Sequence, residues 1–383
     1  MLLNIKAVNY NITMLLNEKG RRRLGKQIAI IGLGLMGGSL AKALQSKWDV
    51  TITGVDQDQT TIETAMAERT IQYGLNHLET LSWEVFDLII FCTPIEITLQ
   101  WMERIDGKVK DTATVIDIGS TKGQVMQLAA KVNYDFIGGH PMVGSEKSGY
   151  IHSKGHLFEN AYFILTPLEQ SKEEKITLLY EMIDAIGAMP ITMDAEQHDL
   201  FTAVISHVPH IIASALVHMI KEFDHKEVLI KLAAGGFKDI TRIASSSPHL
   251  WQHISLSNKE KIDLVLKQLL TTIDEYKQRL REENNDYLFT YFSKAKEMRD
   301  QIVDTVNTDI PKQYALIVDI EDRPGMIAKI STLLYEHQIN IKNIGIIHNR
   351  EFENGCLKII LENRLDQVSA YQVLQKHEYL VFK

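Results

Sequence analysis

Three short stretches of this chain combine residue types and spacings suited to chemistry. The first, GGHPMVGSEKSG (Gly138 to Gly149), sets His140 between a glycine pair and a proline, followed by small polar residues. That composition is poor for a helix or a long strand. It suits a loop that only turns, or one whose backbone passes close to a bound molecule. The second, GGFKDITRIASSSPHLWQHI, places Lys238, Asp239 and Arg242 after another glycine pair. Lys238 and Arg242 are four residues apart and share a helical face. A solvated charge run is the plain reading. However, the Glu–Lys mixing of an exposed helix is absent, and two cations beside glycines suit a ligand carrying carboxylates, with Arg242 able to grip one bidentately. In the third, SHVPH, His207 and His210 flank Pro209 inside an otherwise apolar helical pattern.

These residues need a scaffold, and the N-terminal region supplies its outline. In KQIAIIGLGLMGGSLAKALQ, the apolar run Ile28 to Ile31 suits a buried parallel strand. Gly32, Gly34 and Gly37 then form GxGxxG at the opening of a helix. The first glycine permits the tight turn, the second lets a pyrophosphate approach, and the third lets helix and strand pack closely, with the helix N-terminus facing the phosphates. Asp56 closes the next strand, VTITGVD, roughly 20 residues beyond the fingerprint, where a ribose-binding acid is expected. Gln57 follows it, and no arginine is present there to receive a 2′-phosphate, which favours NAD over NADP. Three further strands end at small or polar residues: FDLIIFCTP, ATVIDIGSTKG and DFIGGHP. Ligands bind outside the carboxyl ends of open parallel sheets, so Thr93, Ser120 and His140 fall on the cofactor side. For Ser120 a helix N-cap is as good a reading as ligand contact. Cys92 reads as a small buried hydrophobe.

The chain has 383 residues, enough for two or three domains. A strand AYFILTP and a helix KEEKITLLYEMIDAIG close the first domain, and from about Asp194 to Asp309 only helical spacing remains. The expected divisions are a disordered or extended leader 1–26, a dinucleotide-binding domain 27–192, a helical domain 193–309 and a tail domain 313–383. The leader carries its basic run, Arg21 to Arg23, after its apolar residues, the reverse of a signal peptide. A net charge of −8 argues against nucleic acid. Cys92 and Cys356 make no disulfide framework, and no CxxC or HExxH spacing suggests a metal. No apolar run approaches the ~20 residues of a membrane span, and the whole reads as a cytoplasmic protein.

Taken together, GLGLMGGSLAKAL, DIGSTKG, GGHPMVGSEKSG, SHVPH and GGFKDITRIASSSPHLW closely resemble the prephenate dehydrogenase family, in order and spacing, from about Lys26 to Asp309. GGHP and GGFKDxTRIA are specific, whereas GxGxxG is common to many dehydrogenases. The resemblance implies NAD-dependent oxidative decarboxylation of prephenate to 4-hydroxyphenylpyruvate, by a Rossmann-type doubly wound α/β domain followed by an all-α dimerisation domain, working as a homodimer. It implies His140 as the catalytic histidine, Ser120 as its partner near the reacting hydroxyl and the nicotinamide, and Arg242 as the binder of a substrate carboxylate. It further implies His207, Lys238, Asp239 and Trp251 as pocket residues, Glu146 as a gate, and Gly32, Leu33, Gly34, Leu35, Met36, Gly37, Asp56, Thr93, Pro94 and Ser120 around the cofactor.

The tail, from about Tyr314, reads strand, helix, strand, strand, helix, strand, a ferredoxin-like βαββαβ order, with Pro324 and Gly325 at the first helix start. It resembles an ACT domain. The resemblance implies feedback by L-tyrosine, with Asp322, Arg323, Pro324, Gly325, Met326, Asn340 and Asn343 as effector contacts. The alternative is a pure dimerisation module. For the whole chain, the rival readings are an arogenate dehydrogenase, a β-hydroxyacid dehydrogenase sharing GLGLMGG, and a non-catalytic sensor of NAD and amino acids.

Overall fold

A computed structural model describes residues 25–144, 147–309, 314–321, 323–347, 355–361 and 363–382. Most of the expected leader, together with Glu146 and Asp322, therefore lies outside the described residues. The chain divides into two compact units at Thr272/Ile273.

The first unit opens with an α/β sheet. Its strands are β1 (Lys26–Ile31), β2 (Val50–Val55), β3 (Tyr73–Leu75), β4 (Leu88–Phe91), β5 (Thr114–Asp117), β6 (Phe136–Pro141), β7 (Tyr162–Thr166) and β8 (Met189–Thr192). Helices α1 (Leu35–Lys47), α2 (Gln59–Ala67), α3 (Ile95–Arg104), α4 (Gly123–Ala129) and α5 (Glu173–Ala185) connect them. The strand order is β3-β2-β1-β4-β5-β6-β7-β8. The order reverses at β1, whose neighbours are β2 and β4, which is the switch point of a doubly wound sheet. β1 to β6 are parallel, whereas β7 runs antiparallel to β6, and β8 parallel to β7. The first strand begins at Lys26, one residue ahead of the expected boundary. β4 and β5 are buried along their whole length, as strands covered on both faces must be; β4, LIIF, is wholly apolar, whereas β5, TVID, buries Thr114 and Asp117 as well.

The glycine pair before His140 belongs to this sheet. Gly138 to Pro141 are the last four of the six residues of β6, not a loop. A Cβ on Gly138 would stand 2.2 Å from Thr166 Oγ1, and one on Gly139 2.6 Å from the Asp117 carbonyl oxygen. Both glycines are thus demanded by neighbouring strands rather than by a ligand. Only after Pro141 does the segment leave the sheet, with Gly149 at φ +86°.

A helical run follows: α6 (Ala195–Thr202), a π-helical turn at Ala203–His207, α7 (Val208–Glu222), α8 (Lys226–Leu232), α9 (Gly235–Thr241), a 3₁₀ turn at Arg242–Ser245, α10 (Pro248–Ser257) and α11 (Lys259–Arg281). Pro209 sits in the first turn of α7, where its missing N–H is tolerated, and the π turn just before it absorbs the break in the hydrogen-bond ladder. The expectation that nothing approaches a membrane span needs amending. Ala195–Glu222 is one continuous helical run of 28 residues, with a mean hydropathy of 1.8 in its most apolar window. Its polar residues interrupt any apolar run, so a search for unbroken runs passes over it. Length and composition alone are weak evidence of a span.

In the second unit, α12 (Asn285–Asp309) precedes β9 (Tyr314–Ile320), α13 (Met326–Glu336), β10 (Ile341–Ile347), β11 (Gly355–Leu361), α14 (Arg364–Lys376) and β12 (Val381–Phe382). The sheet order β10-β11-β9-β12, antiparallel throughout, is that of a ferredoxin-like βαββαβ fold. Gly325 caps α13 at φ +91°, a conformation that favours glycine.

Candidate active site

The carboxyl ends of β1, β4, β5 and β6 open onto one cleft of about 780 Å³, roofed by α7, the Arg242–Ser245 turn and α10. Gly34, Thr93, Ser120 and His140 line it from the sheet side, and His210, Arg242 and Trp251 from the helical side.

The glycine turn is shaped as its spacing predicts. Gly32 has φ +92°, and a Cβ there would lie 2.7 Å from the Cys92 carbonyl oxygen. A Cβ on Gly37 would come within 1.9 Å of the Gly32 oxygen, so α1 packs on the turn only because Gly37 has none. Gly34 has nothing within 4 Å of that position and faces the cleft with Leu35 and Met36. No side chain caps α1, leaving its first turn open to an anion. Asp56 accepts the Leu33 N–H through Oδ2 at 2.8 Å and the Asp58 N–H through Oδ1 at 2.9 Å, which fixes its carboxylate at the end of β2. An open helix N-terminus, a turn cleared of Cβ atoms and a fixed carboxylate fit a dinucleotide. Four of the expected cofactor residues, Gly32, Leu33, Gly37 and Asp56, do not line the cleft. Leu33 is fully buried with its N–H given to Asp56, and Gly37 is packed against Gly32.

His140 lines the cleft and is held from behind. Its Nδ1 lies 2.8 Å from Nε2 of His198, whose own Nδ1 lies 2.8 Å from Asp199 Oδ1. His198 is fully buried and Asp199 nearly so. Asp199 also accepts the backbone N–H groups of Lys122 and Gly123, each at 2.7 Å, so a carboxylate from α6 closes the open end of α4. Close by, the fully buried Lys122 ammonium is paired with Asp117. Burial holds the His140 imidazole well below its ordinary pKa, and the nearby His198, Lys122 and His207 push the same way. His198 is also lowered by burial, against the pull of Asp199. Asp199 is lowered: the hydrogen bonds from His198 and from the Lys122 and Gly123 backbone outweigh its burial, the largest single influence, which acts upward.

Ser120 is not a helix cap. The N-cap of α4 is Lys122, without a side-chain bond, and Ser120 faces the cleft. Thr93 and Pro94 line it too, Thr93 with its hydroxyl 2.9 Å from that of Thr98. Cys92 is only partly buried and reaches the same wall, although burial pushes its thiol well up.

On the helical side the expectations divide. Trp251 lines the cleft and stacks on His210, with ring centroids 3.5 Å apart. His210 Nε2 is buried without a partner among the described residues. Arg242 reaches the cleft. Lys238 and Asp239 are exposed and do not line it. The α-helix ends at Thr241, and a 3₁₀ turn begins at Arg242. His207 is also off the wall. It is 1% exposed, accepts from Asn258 Nδ2 at 3.1 Å, and burial lowers its pKa to about 4.

His198 and Asp199 are the pair that sequence reasoning passed over. Adjacent in a helical EQHDLF, they carry no motif, and their partners lie 58 and 77 residues away. In the small domain, Arg323, Pro324 and Gly325 are exposed at the start of α13, as are Asn340 and Asn343 at β10. Met326 is different, since its side chain is 8% exposed and belongs to that domain's core.

A glycine turn cleared for a dinucleotide, facing an imidazole and an arginine across one cleft, defines a nucleotide-binding α/β enzyme of the dehydrogenase type. Residues 40–192 match the nucleotide-binding domain of prephenate dehydrogenase, residues 194–294 its dimerization domain, and residues 314–351 the ACT domain. The chain is 38% identical over 362 residues to prephenate dehydrogenase of Bacillus subtilis, spanning 93% of this chain and 97% of the relative. Similar solved structures include the following two. Prephenate dehydrogenase of Aquifex aeolicus with hydroxyphenyl propionate and NAD+ has a TM-score of 0.69 at 31% identity, over 72% of this chain and 98% of the other. Synechocystis arogenate dehydrogenase has a TM-score of 0.65 at 26% identity, over 72% and 99%. The chain belongs to the prephenate dehydrogenase family, with an ACT domain at its C-terminal end.

Proposed function

We propose that this protein converts prephenate to 4-hydroxyphenylpyruvate and carbon dioxide with NAD+ as oxidant. The observation that carries this reading is His140, held from behind by a buried imidazole and lining the same cleft as the Gly34 turn and Arg242. Gly34, Leu35 and Met36 at the start of α1 would hold the pyrophosphate, and Asp56 a ribose hydroxyl. Bound there, NAD+ supplies a two-electron acceptor for hydride.

The chain's own groups do the rest. Arg242 binds a substrate carboxylate and fixes the ring in the cleft. His140, neutral because burial disfavours its cation, takes the proton of the ring hydroxyl as the carbon bearing it loses hydride. Ser120 orients that hydroxyl. Loss of carbon dioxide makes the ring aromatic and leaves a phenolate oxygen that takes the proton back from His140; the gain of aromaticity drives the reaction one way. The exposed apolar residues of the α6–α7 run, among them Phe201, Ile205, Val217 and Met219, suit a self-associating face, so the working form is a homodimer; likeness to biosynthetic prephenate dehydrogenases supports a cytoplasmic location. On this reading, residues 27–192 bind the cofactor, 193–309 bind substrate and the second copy, and 313–383 bind L-tyrosine as a feedback inhibitor at the exposed α13 start.

A second substrate is favoured by the likeness to an arogenate dehydrogenase: arogenate differs from prephenate only in bearing an amino rather than a keto group on its side chain. Following NADH absorbance with each substrate tests both. The proposal expects the larger kcat/KM with prephenate. A larger value with arogenate reassigns the substrate, and no NADH from either removes the activity.

A further inference from the structure

A general base must present a lone pair, and a neutral imidazole has only one. If His140 carried its proton on the nitrogen facing the cleft, it could accept nothing. The reaction proposed above therefore depends on a choice of tautomer, and this inference rests on that reading of His140.

The buried chain behind His140 makes the choice. Asp199 accepts two backbone N–H groups, so it stands as a carboxylate with no proton to give. The hydrogen in its 2.8 Å contact with His198 must then come from His198 Nδ1. A neutral His198 protonated at Nδ1 has a bare Nε2. The hydrogen in the 2.8 Å contact between the two imidazoles must therefore come from His140 Nδ1. That leaves His140 Nε2 unprotonated, and it is the nitrogen remaining for the cleft that His140 lines. We infer that His198 and Asp199 are positioning residues that lock His140 in the Nδ1–H tautomer, so that its Nε2 is the acceptor of the substrate proton.

The other groups facing this chain cannot substitute. Lys122 is a donor only and is paired with Asp117. His207 is engaged with Asn258. Without Asp199, His198 has no reason to keep its proton on Nδ1. Without His198, His140 can place its proton on either nitrogen and its ring is free to turn.

The test is steady-state turnover of the full chain with prephenate and NAD+, for wild type, His198→Ala and the double variant His198→Ala/Asp199→Ala, each with and without added imidazole. His198→Ala should lose at least about a hundredfold in kcat, with prephenate KM within about twofold. Free imidazole filling the vacated space should recover about tenfold or more of that loss, and the recovery should vanish in the double variant, which lacks the carboxylate anchor. A kcat within about threefold of wild type overturns the inference. So does a loss confined to KM, a loss that imidazole does not touch, or a recovery that survives removal of Asp199. The tautomer is also read without turnover, from imidazole ¹⁵N shifts of histidine-labelled wild type, with the His140 signal assigned by its absence in His140→Asn. A His140 protonated at Nε2 sinks the inference even if prephenate is turned over, whereas Nδ1 protonation in a chain inactive on prephenate leaves the lock standing and removes the proposed reaction.

Discussion

His140 Nδ1 and His198 Nε2 stand 2.8 Å apart, with the two rings edge to face at a centroid distance of 5.0 Å. One ring ends a strand and faces the cleft, and the other is sealed inside α6. The pairing fixes the direction of a catalytic imidazole with a group that never meets the ligand, and it shapes the expectations for substitution and pH.

His140→Asn keeps a polar side chain of similar reach but removes the proton acceptor. Turnover should fall by about 10²- to 10⁴-fold, the usual worth of a positioned general base, while prephenate KM changes modestly. A variant with near wild-type kcat would disprove the role.

Only neutral His140 accepts a proton, and burial, with the nearby His198, Lys122 and His207 acting the same way, holds its pKa well below 6.5. The rate should therefore be flat through neutral pH and fall only as the solution becomes clearly acidic, on protonation of the imidazole. A kcat/KM profile whose acid limb is centred above pH ~6.5 would contradict the burial argument.

Arg242→Ala should act on binding. Because Arg242 is exposed in the single chain, the expected rise in prephenate KM is roughly tenfold or somewhat more, with a smaller effect on kcat. An unchanged KM would remove Arg242 from the carboxylate site.

Stability should also depend on acid. His207 is neutral and buried in the folded chain with a pKa of about 4, against an ordinary value of 6.5. Below pH 6.5 the unfolded chain takes up a proton that the folded chain refuses, so stability falls steadily as pH drops from about 6.5 to about 4, and levels off below that. The full contribution is about 3 kcal/mol, and His140, His198 and His210, all lowered, add in the same direction. Urea midpoints across this range should show the decline, and it should be shallower in His207→Gln.

Gly139→Ala tests whether the glycines beside His140 serve the sheet. Its Cβ would stand 2.6 Å from the Asp117 carbonyl oxygen, a backbone atom of β5 that cannot swing away. A loss of about 1–3 kcal/mol in unfolding free energy is expected, seen as a lower midpoint in thermal denaturation. An unchanged midpoint would return Gly139 to the ligand.

Feedback is tested by assaying L-tyrosine inhibition on the intact chain and on one ended after Pro311. Inhibition should be lost or much weakened on truncation. Equal inhibition of both forms would move control into the catalytic cleft.

Much of this protein is determined by local sequence. GxGxxG could be read because its turn and its close approach lie within one short segment: Gly32 sits at φ +92°, and a Cβ on Gly37 would stand 1.9 Å from the Gly32 oxygen. The βα alternation, the helical middle and the βαββαβ tail follow from apolar periodicity, which is likewise local. What tertiary structure decided concerns contacts between distant segments. The glycines of GGHP look like a loop in isolation and prove to be strand, because Thr166 and Asp117 crowd them from either side. Of the Lys238, Asp239 and Arg242 cluster only Arg242 lines the cleft, which depends on how the helical layer packs over the sheet. The His140–His198–Asp199 chain has no sequence signal, since a hydrogen bond between β6 and α6 depends on how the sheet and the helical layer pack, and no periodicity within either segment encodes that.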